Sequence, residues 1–314
     1  MPPIWEFDPT SIEQAVQSAA RGSASREREL RRVLDPIYAL PMGRERAARF
    51  AGAFADRFVG WELSRPIEAE VARRPILIER LDRALVRPSP ARKLESAELF
   101  VGFAAGGDRP TSPRRTLVVA ICASTLLDPA APSWRRIRRE LLQAADMLDE
   151  RFAYRPETPP GLPMQRNLTI DRHRALWDVW AEARLIDEDP SAPNESIETR
   201  ARFDRAFAGA AASTLDRAHA SIASAESLAH ERIMTWACEP KTLLGVEPGD
   251  PAARASRRGE PCSLCGFPTH DWFDFQADAT GAAERIATER ADWTALDGAC
   301  RQCVELYRAL APTR

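Results

Sequence analysis

The chain reads as an α+β protein, mostly α-helical, with a small antiparallel sheet and a C-terminal four-cysteine zinc module. Three observations predict this class. Apolar residues recur at three- and four-residue intervals along most of the chain ahead of Cys238, which is the period of helices with one buried face. Two runs, Ala97 to Phe103 and Thr116 to Cys122, are instead compact and apolar, and the turn residues Gly106-Gly107-Asp108-Arg109-Pro110 between them predict an antiparallel pair. Near the C-terminus, Cys262-Ser263-Leu264-Cys265 is answered by Cys300-Arg301-Gln302-Cys303.

At 314 residues with 44% hydrophobic content, the chain is long enough for one large core or two smaller ones. A formal charge of −2 supplies no overall basic field, which disfavours nucleic acid and anionic membranes as partners. Lysine is confined to Lys93 and Lys241 while arginine is abundant, a codon-usage signature that carries no phosphate-binding inference. Met1 to Asp8 has neither a basic nor an apolar leader segment, so a cytoplasmic location is expected. No apolar run approaches the ~18 residues of a membrane span.

Helices are expected first. Asp8-Pro9-Thr10-Ser11 supplies cap residues before Ile12, Ala15, Val16 and Ala19, and Gly22-Ser23 closes that run. A second helix runs from about Ser25 to Leu34, with Asp35-Pro36 as its brake. Ala47, Phe50, Ala51, Phe54, Phe58 and Trp61 form the stripe of a third. Pro66 opens the next segment and Pro75 divides it, with helix expected to about Val86 before Pro88.

After the two strands, Asp128-Pro129 breaks the chain, and a helix from Ser133 to about Phe152 buries Trp134, Ile137, Leu141, Ala145 and Leu148. Arg139, Gln143 and Asp146 lie on nearly the opposite face and are expected to be solvated. A proline-rich loop follows from Tyr154 to Pro163, then a helix from about Thr169 to Ile186 that is apolar on several sides. Asp178 and Glu182 are four apart on that helix, spaced for salt bridges with neighbouring arginines, and His173 precedes them. Two more helices carry Phe203, Phe207, Leu215, Ile222, Ile233 and Trp236, with a polar loop at residues 187 to 196 before them. His219 and His230 are eleven positions apart, too far along a helix to share an ion. Pro240, Pro248-Gly249 and Pro251 mark a connector. The expected organisation is a helix-rich α+β domain over 1–238, a linker over 239–260 and a zinc-binding module over 261–314.

Cys262, Cys265, Cys300 and Cys303 suit one tetrahedral Zn2+, because a two-residue spacer lets both sulfurs of a pair reach one ion. Gly266 permits the tight turn beneath the metal, and Val304, Tyr307 and their neighbours place the second pair on the first turn of a short helix. An iron–sulfur cluster or two disulfides are the other uses of four cysteines; the glycine turn and helix-borne second pair favour zinc. His270 is a conceivable substitute ligand, but four thiolates already suffice. Asp271-Trp272-Phe273-Asp274-Phe275 alternates as a strand would, and Trp272 and Trp293 are expected lids on the cluster. Cys122 and Cys238 read as small buried hydrophobes.

A glycine-turn knuckle followed by a helix carrying the second pair resembles a treble-clef or zinc-ribbon module, over about one sixth of the chain. Its departure is the 34 residues between the pairs, longer than the ribbon's usual ~15–20. Separately, residues 97–186 resemble the layout of a zincin metallopeptidase, in which a small sheet precedes a helix carrying His-Glu-x-x-His. Arg139-Glu140-Leu141-Leu142-Gln143 occupies that slot, with Glu140 at the general-base position and Arg139 and Gln143 where the two histidines would be. Guanidinium does not ligate zinc and an amide is a poor substitute for imidazole, so the resemblance implies an inactive, metal-free relic.

No phosphate loop, dinucleotide fingerprint or nucleophile elbow occurs. The first functional reading is a cytoplasmic scaffold or interaction protein with a protein partner and a structural zinc. The alternative is a hydrolase using Glu140 as base, with Asp146, His173, Asp178 or Glu182 as helpers, which requires a pocket that gathers them. A third is nucleic-acid contact through Arg254, Arg257 and Arg258 beside the zinc module.

Overall fold

The computed structural model describes residues 2–102, 114–159, 163–189, 196–207, 210–245, 259–275, 281–290, 293–295 and 297–309. The glycine turn at 106–110, the connector arginines at 254, 257 and 258, and most of the expected linker lie outside the described residues. Contacts divide the chain into two compact units, Met1–Tyr154 with Leu185–Asn194, and Arg155–Arg184 with Glu195–Arg314.

The first unit opens on strand β1 (Ile4–Phe7), followed by helices α1 (Pro9–Arg21), α2 (Ala24–Tyr38), α3 (Arg44–Gly60), α4 (Arg65–Ala72) and α5 (Pro75–Arg80). Strands β2 (Arg83–Pro88), β3 (Ser96–Gly102) and β4 (Arg114–Ile121) come next, then α6 (Ala123–Leu126) and α7 (Ser133–Leu148). Local chemistry sets the early boundaries. The Asp8 carboxylate accepts from the Thr10 amide at 2.8 Å, with Pro9 at the first helical position, and the Ser23 hydroxyl accepts from Arg26. Pro36 does not stop α2, which continues to Tyr38. Proline only two residues from the end forfeits one backbone bond while its neighbours stay helical.

The sheet corrects the expectation of an all-antiparallel one. Its order is β1-β2-β4-β3, with β1, β2 and β4 parallel and only β3 antiparallel to β4. The expected pair is present, in register Leu99 to Leu117. The two strands that sequence periodicity does not reveal are β1 and β2. Arg83–Pro88 forms β2 rather than a helical turn, and Ala84 and Val86 alternate into the core with no exposed surface. Four apolar or mixed residues flanked by helix-like sequence fit either period, and only a parallel neighbour on each side decides between them.

The core of this unit joins α1, α3, α4, the sheet and α7 through Val16, Phe58, Ile67, Leu117, Val119, Trp134 and Ile137. Burying each such side chain contributes about 1.5–3 kcal/mol. Trp134 also donates its indole N–H to the Thr125 carbonyl at 2.6 Å, which ties α7 to α6. Ser133 is the first residue of α7, and its hydroxyl pairs with Thr125 at 3.0 Å.

The second unit contains most of α8 (Pro163–Glu188), then α9 (Ser196–Ala206), α10 (Ala212–Ala223), α11 (His230–Cys238) and α12 (Pro240–Leu244). The four-cysteine segment carries α13 (Ala282–Glu289) and α14 (Arg301–Ala309). Helix α8 buries Leu176, Trp177, Val179, Trp180 and Ala181, as its all-round apolar character predicts. The Trp180 indole N–H donates to the Ala225 carbonyl at 2.9 Å. Among the described residues no helix is long and apolar enough to cross a membrane.

Candidate metal centre

The first knuckle is a short turn closed by its own backbone. The Gly266 amide donates to the Cys262 carbonyl and the Cys262 amide to the Phe267 carbonyl, both at 2.8 Å, while Pro261 bridges Pro268. Gly266 has φ +72, and a methyl group there would meet nothing within 4 Å. Glycine is therefore required by conformation and not by space. Before the second pair, Gly298 also has φ +73, and Asp297 accepts from the Thr294 amide at 2.7 Å. Cys300 then sits at the entry to α14, where unpaired amides and the helix dipole favour a thiolate.

Two aromatic rings and one backbone bridge bring the pairs together. Trp293 is buried to 4% exposure, donates its indole N–H to Ser263 at 2.9 Å, and packs edge-on against Phe275. Phe273 and Phe275 join the cluster of Cys262, Ile286, Trp293, Cys300 and Val304. The expected lid Trp293 is in place. Trp272 pairs its backbone with Cys300, and Phe273 and Phe275 pack against the same cluster. Among the described residues, 271–275 form this isolated bridge rather than a strand: the Phe273 amide donates to Ala299 and the Arg301 amide to Asp271, on either side of the Trp272–Cys300 pair.

All four sulfurs, of Cys262, Cys265, Cys300 and Cys303, lie within 4.8 Å of one another. The Cys262–Cys303 separation is 3.9 Å and the Cys265–Cys300 separation 4.0 Å. A tetrahedral ion bonded to sulfur at about 2.3 Å requires edges of about 3.8 Å, so the donor set fits a metal of zinc's size and thiolate preference. Amides supply further polarisation: Cys300 and Leu264 donate to the Cys262 sulfur at 3.2 and 3.4 Å, and Cys303 to the Cys300 sulfur at 3.4 Å. Burial pushes the Cys262 thiol up, but the backbone donors of Cys300, Cys265 and Leu264 outweigh it and bring the group down to about 7. Burial and neighbouring sulfurs raise Cys303, and burial raises Cys300. A cation at the centre of the four would reverse those increases. His270 is exposed and outside the four-sulfur group.

The weaker candidates occupy distinct places. Glu140, on α7, accepts the Ala97 amide of β3 at 2.7 Å through Oε2, while Arg136 lies 3.5 Å from Oε1. Asp146 and Arg139 are buried, at 7% and 4% exposure, so the polar face of α7 is not the solvated surface its composition predicts. Both of these helix positions belong to the first unit, whereas His173, Asp178 and Glu182 belong to the second. Asp178 is paired with Arg202, Glu182 is 3% exposed, and His173 meets the rings of Trp177 and His230 edge-on. Burial, then the neighbouring His230 and Arg174, depress His173 to about 4.

Sequence reasoning did not single out Glu95. It is 1% exposed and accepts the Cys122 amide at 2.9 Å, linking the start of β3 to the end of β4. Its neighbours Ser96 and Ala97 are ordinary strand residues, and no local pattern marks a carboxylate whose partner is 27 positions away. Comparison with protein-family models, with curated proteins and with solved structures finds no match to this chain.

Proposed function

We propose that Cys262, Cys265, Cys300 and Cys303 hold one structural zinc, and that the protein serves as a cytoplasmic scaffold or interaction protein. The observation carrying this reading is the convergence of all four sulfurs within 4.8 Å. Four protein thiolates leave no coordination position for water or substrate, so the ion closes a fold and does not activate a reactant. Among the described residues the apolar cluster under the cysteines is small, which fits a segment closed by a cross-link. The glycine knuckle and the helix-borne second pair support a treble-clef-like arrangement.

In the same reading residues 97–186 are an inactive zincin-like scaffold. A small sheet leading into α7, with Arg139, Glu140 and Gln143 in the motif positions, supports that part. The hydrolase alternative requires Glu140 to be free to take a proton, and its bond to the Ala97 amide weighs against it.

Elemental analysis of the purified full chain tests the proposal. One zinc per chain, without the absorption of an iron–sulfur centre, is the expected result. A chain without zinc, or with a labile water on the ion, overturns it.

A further inference from the structure

We propose that Cys265 is an oxidation site, and that a hydroperoxide exchanges the metal clamp of this module for disulfides between its two knuckles. The inference rests on the metal reading above and concerns what the same sulfurs do when the metal is lost. The four ligands are unequal in access. Cys262 and Cys300 are 1% and 8% exposed, Cys303 is half-buried, and Cys265 is exposed. Its neighbours in sequence, Gly266 and Phe267, are exposed too, so this end of the knuckle faces solvent. A metal-bound thiolate stays nucleophilic, and among equal thiolates the accessible one reacts first.

Geometry offers a partner on the other knuckle, within a group whose four sulfurs all lie inside 4.8 Å. The Cys265 sulfur lies 4.0 Å from that of Cys300, on the opposite knuckle, and Cys262 lies 3.9 Å from Cys303. Both pairs cross between the knuckles. Bond formation requires closing to about 2 Å, a side-chain rotation once the ion no longer separates the sulfurs. The outcome depends on which pairs form. A link within a knuckle joins residues three apart and lets the two halves part. Links between the knuckles span 35 and 41 positions and keep the halves together without metal.

The chemistry balances with a peroxide as the oxidant. The Cys265 thiolate attacks one peroxide oxygen, the O–O bond breaks, and Cys265 becomes a sulfenic acid as the departing oxygen takes a proton and leaves as water. The Cys300 thiolate then attacks the Cys265 sulfur, the S–O bond breaks, and the hydroxyl takes a proton and leaves as a second water. Two electrons pass from the sulfur pair to the peroxide, and two protons come from solvent. Losing two of its four ligands, the zinc leaves as the aqueous ion. A second equivalent joins Cys262 to Cys303 in the same way.

The test uses the full chain, with its zinc content measured first. Hydrogen peroxide is then titrated in while a chromogenic chelator reads zinc release, dimedone traps sulfenic acid, and non-reducing peptide mapping identifies the disulfides. The expected result is a first dimedone adduct at Cys265, zinc release in step with a Cys265–Cys300 link, and recovery on adding thiol reductant and zinc. Met42, 87% exposed, serves as the internal standard for peroxide exposure. Zinc retained at doses that oxidise Met42, a first adduct at another cysteine, or a first link within a knuckle each overturn the proposal. Absence of zinc before peroxide is added overturns the metal reading instead. Cys265→Ser is a second arm: it is expected to lose the adduct and slow zinc release, and since the adduct is mapped in the unaltered chain, the result stands whether or not the variant folds.

Discussion

At the scale of single residues, burial has given several side chains a role that their chemical type does not announce. His173 is the clearest. Its folded value of about 4 lies below the ordinary 6.5, so between those limits the unfolded chain binds a proton that the folded one does not. Stability contributed by its neutral form is complete above pH 6.5 and is lost as pH falls towards 4, by up to about 3 kcal/mol. Denaturant midpoints at pH 7 and pH 4.5 check this, and His173→Phe is expected to flatten that part of the profile. Glu140 makes the second case. If its main task is to tie β3 to α7, Glu140→Ala costs about 2 kcal/mol, whereas Glu140→Gln, which still accepts from Ala97, retains most of it. Chemical denaturation of the two variants reads the difference directly. Sequence spacing placed Glu140 on the helix, but the amide it serves is 43 positions away and left no mark on the local pattern.

Among the elements, the metal knuckle is the one most fully specified by its own residues. Gly266 is needed for φ +72 alone, so Gly266→Ala is expected to add about 1–2 kcal/mol of backbone strain without any steric clash. Competition with a zinc chelator reads this as an affinity lower by a factor of about 5–30. The helices were similarly legible: α1 and α3 have caps or apolar stripes within one or two turns, and the 3.6-residue period needs no distant partner. Strands β1 and β2 were not legible. A short parallel strand is buried by neighbours supplied from elsewhere, and Arg83–Pro88 earns its extended form only from β1 on one side and β4 on the other. The segment after Asp271 shows the reverse case, where an alternating pattern met, among the described residues, one bridging pair and no ladder.

For the whole molecule, the division into two units predicts separable responses to metal removal. Chelation is expected to lower the melting transition of the unit containing Cys262–Cys303 and to leave that of the sheet-containing unit in place. Calorimetry with and without chelator checks this, and a single transition shifting as one would refute it. Cys300→Ser removes a buried ligand and should reproduce the chelator's effect without altering the first transition. The sequence by itself determined the helical class, the antiparallel pair and the four cysteines that converge, because each is written in spacings of a few residues or in a side-chain type with few other uses. Only the tertiary structure decided the parallel half of the sheet, the burial of Arg139 and Asp146, the aromatic cover of Phe273 and Phe275, and the accessibility of Cys265 among its fellow ligands. Those properties depend on what packs against a residue, and the partners come from positions tens of residues away whose pairing no local period encodes.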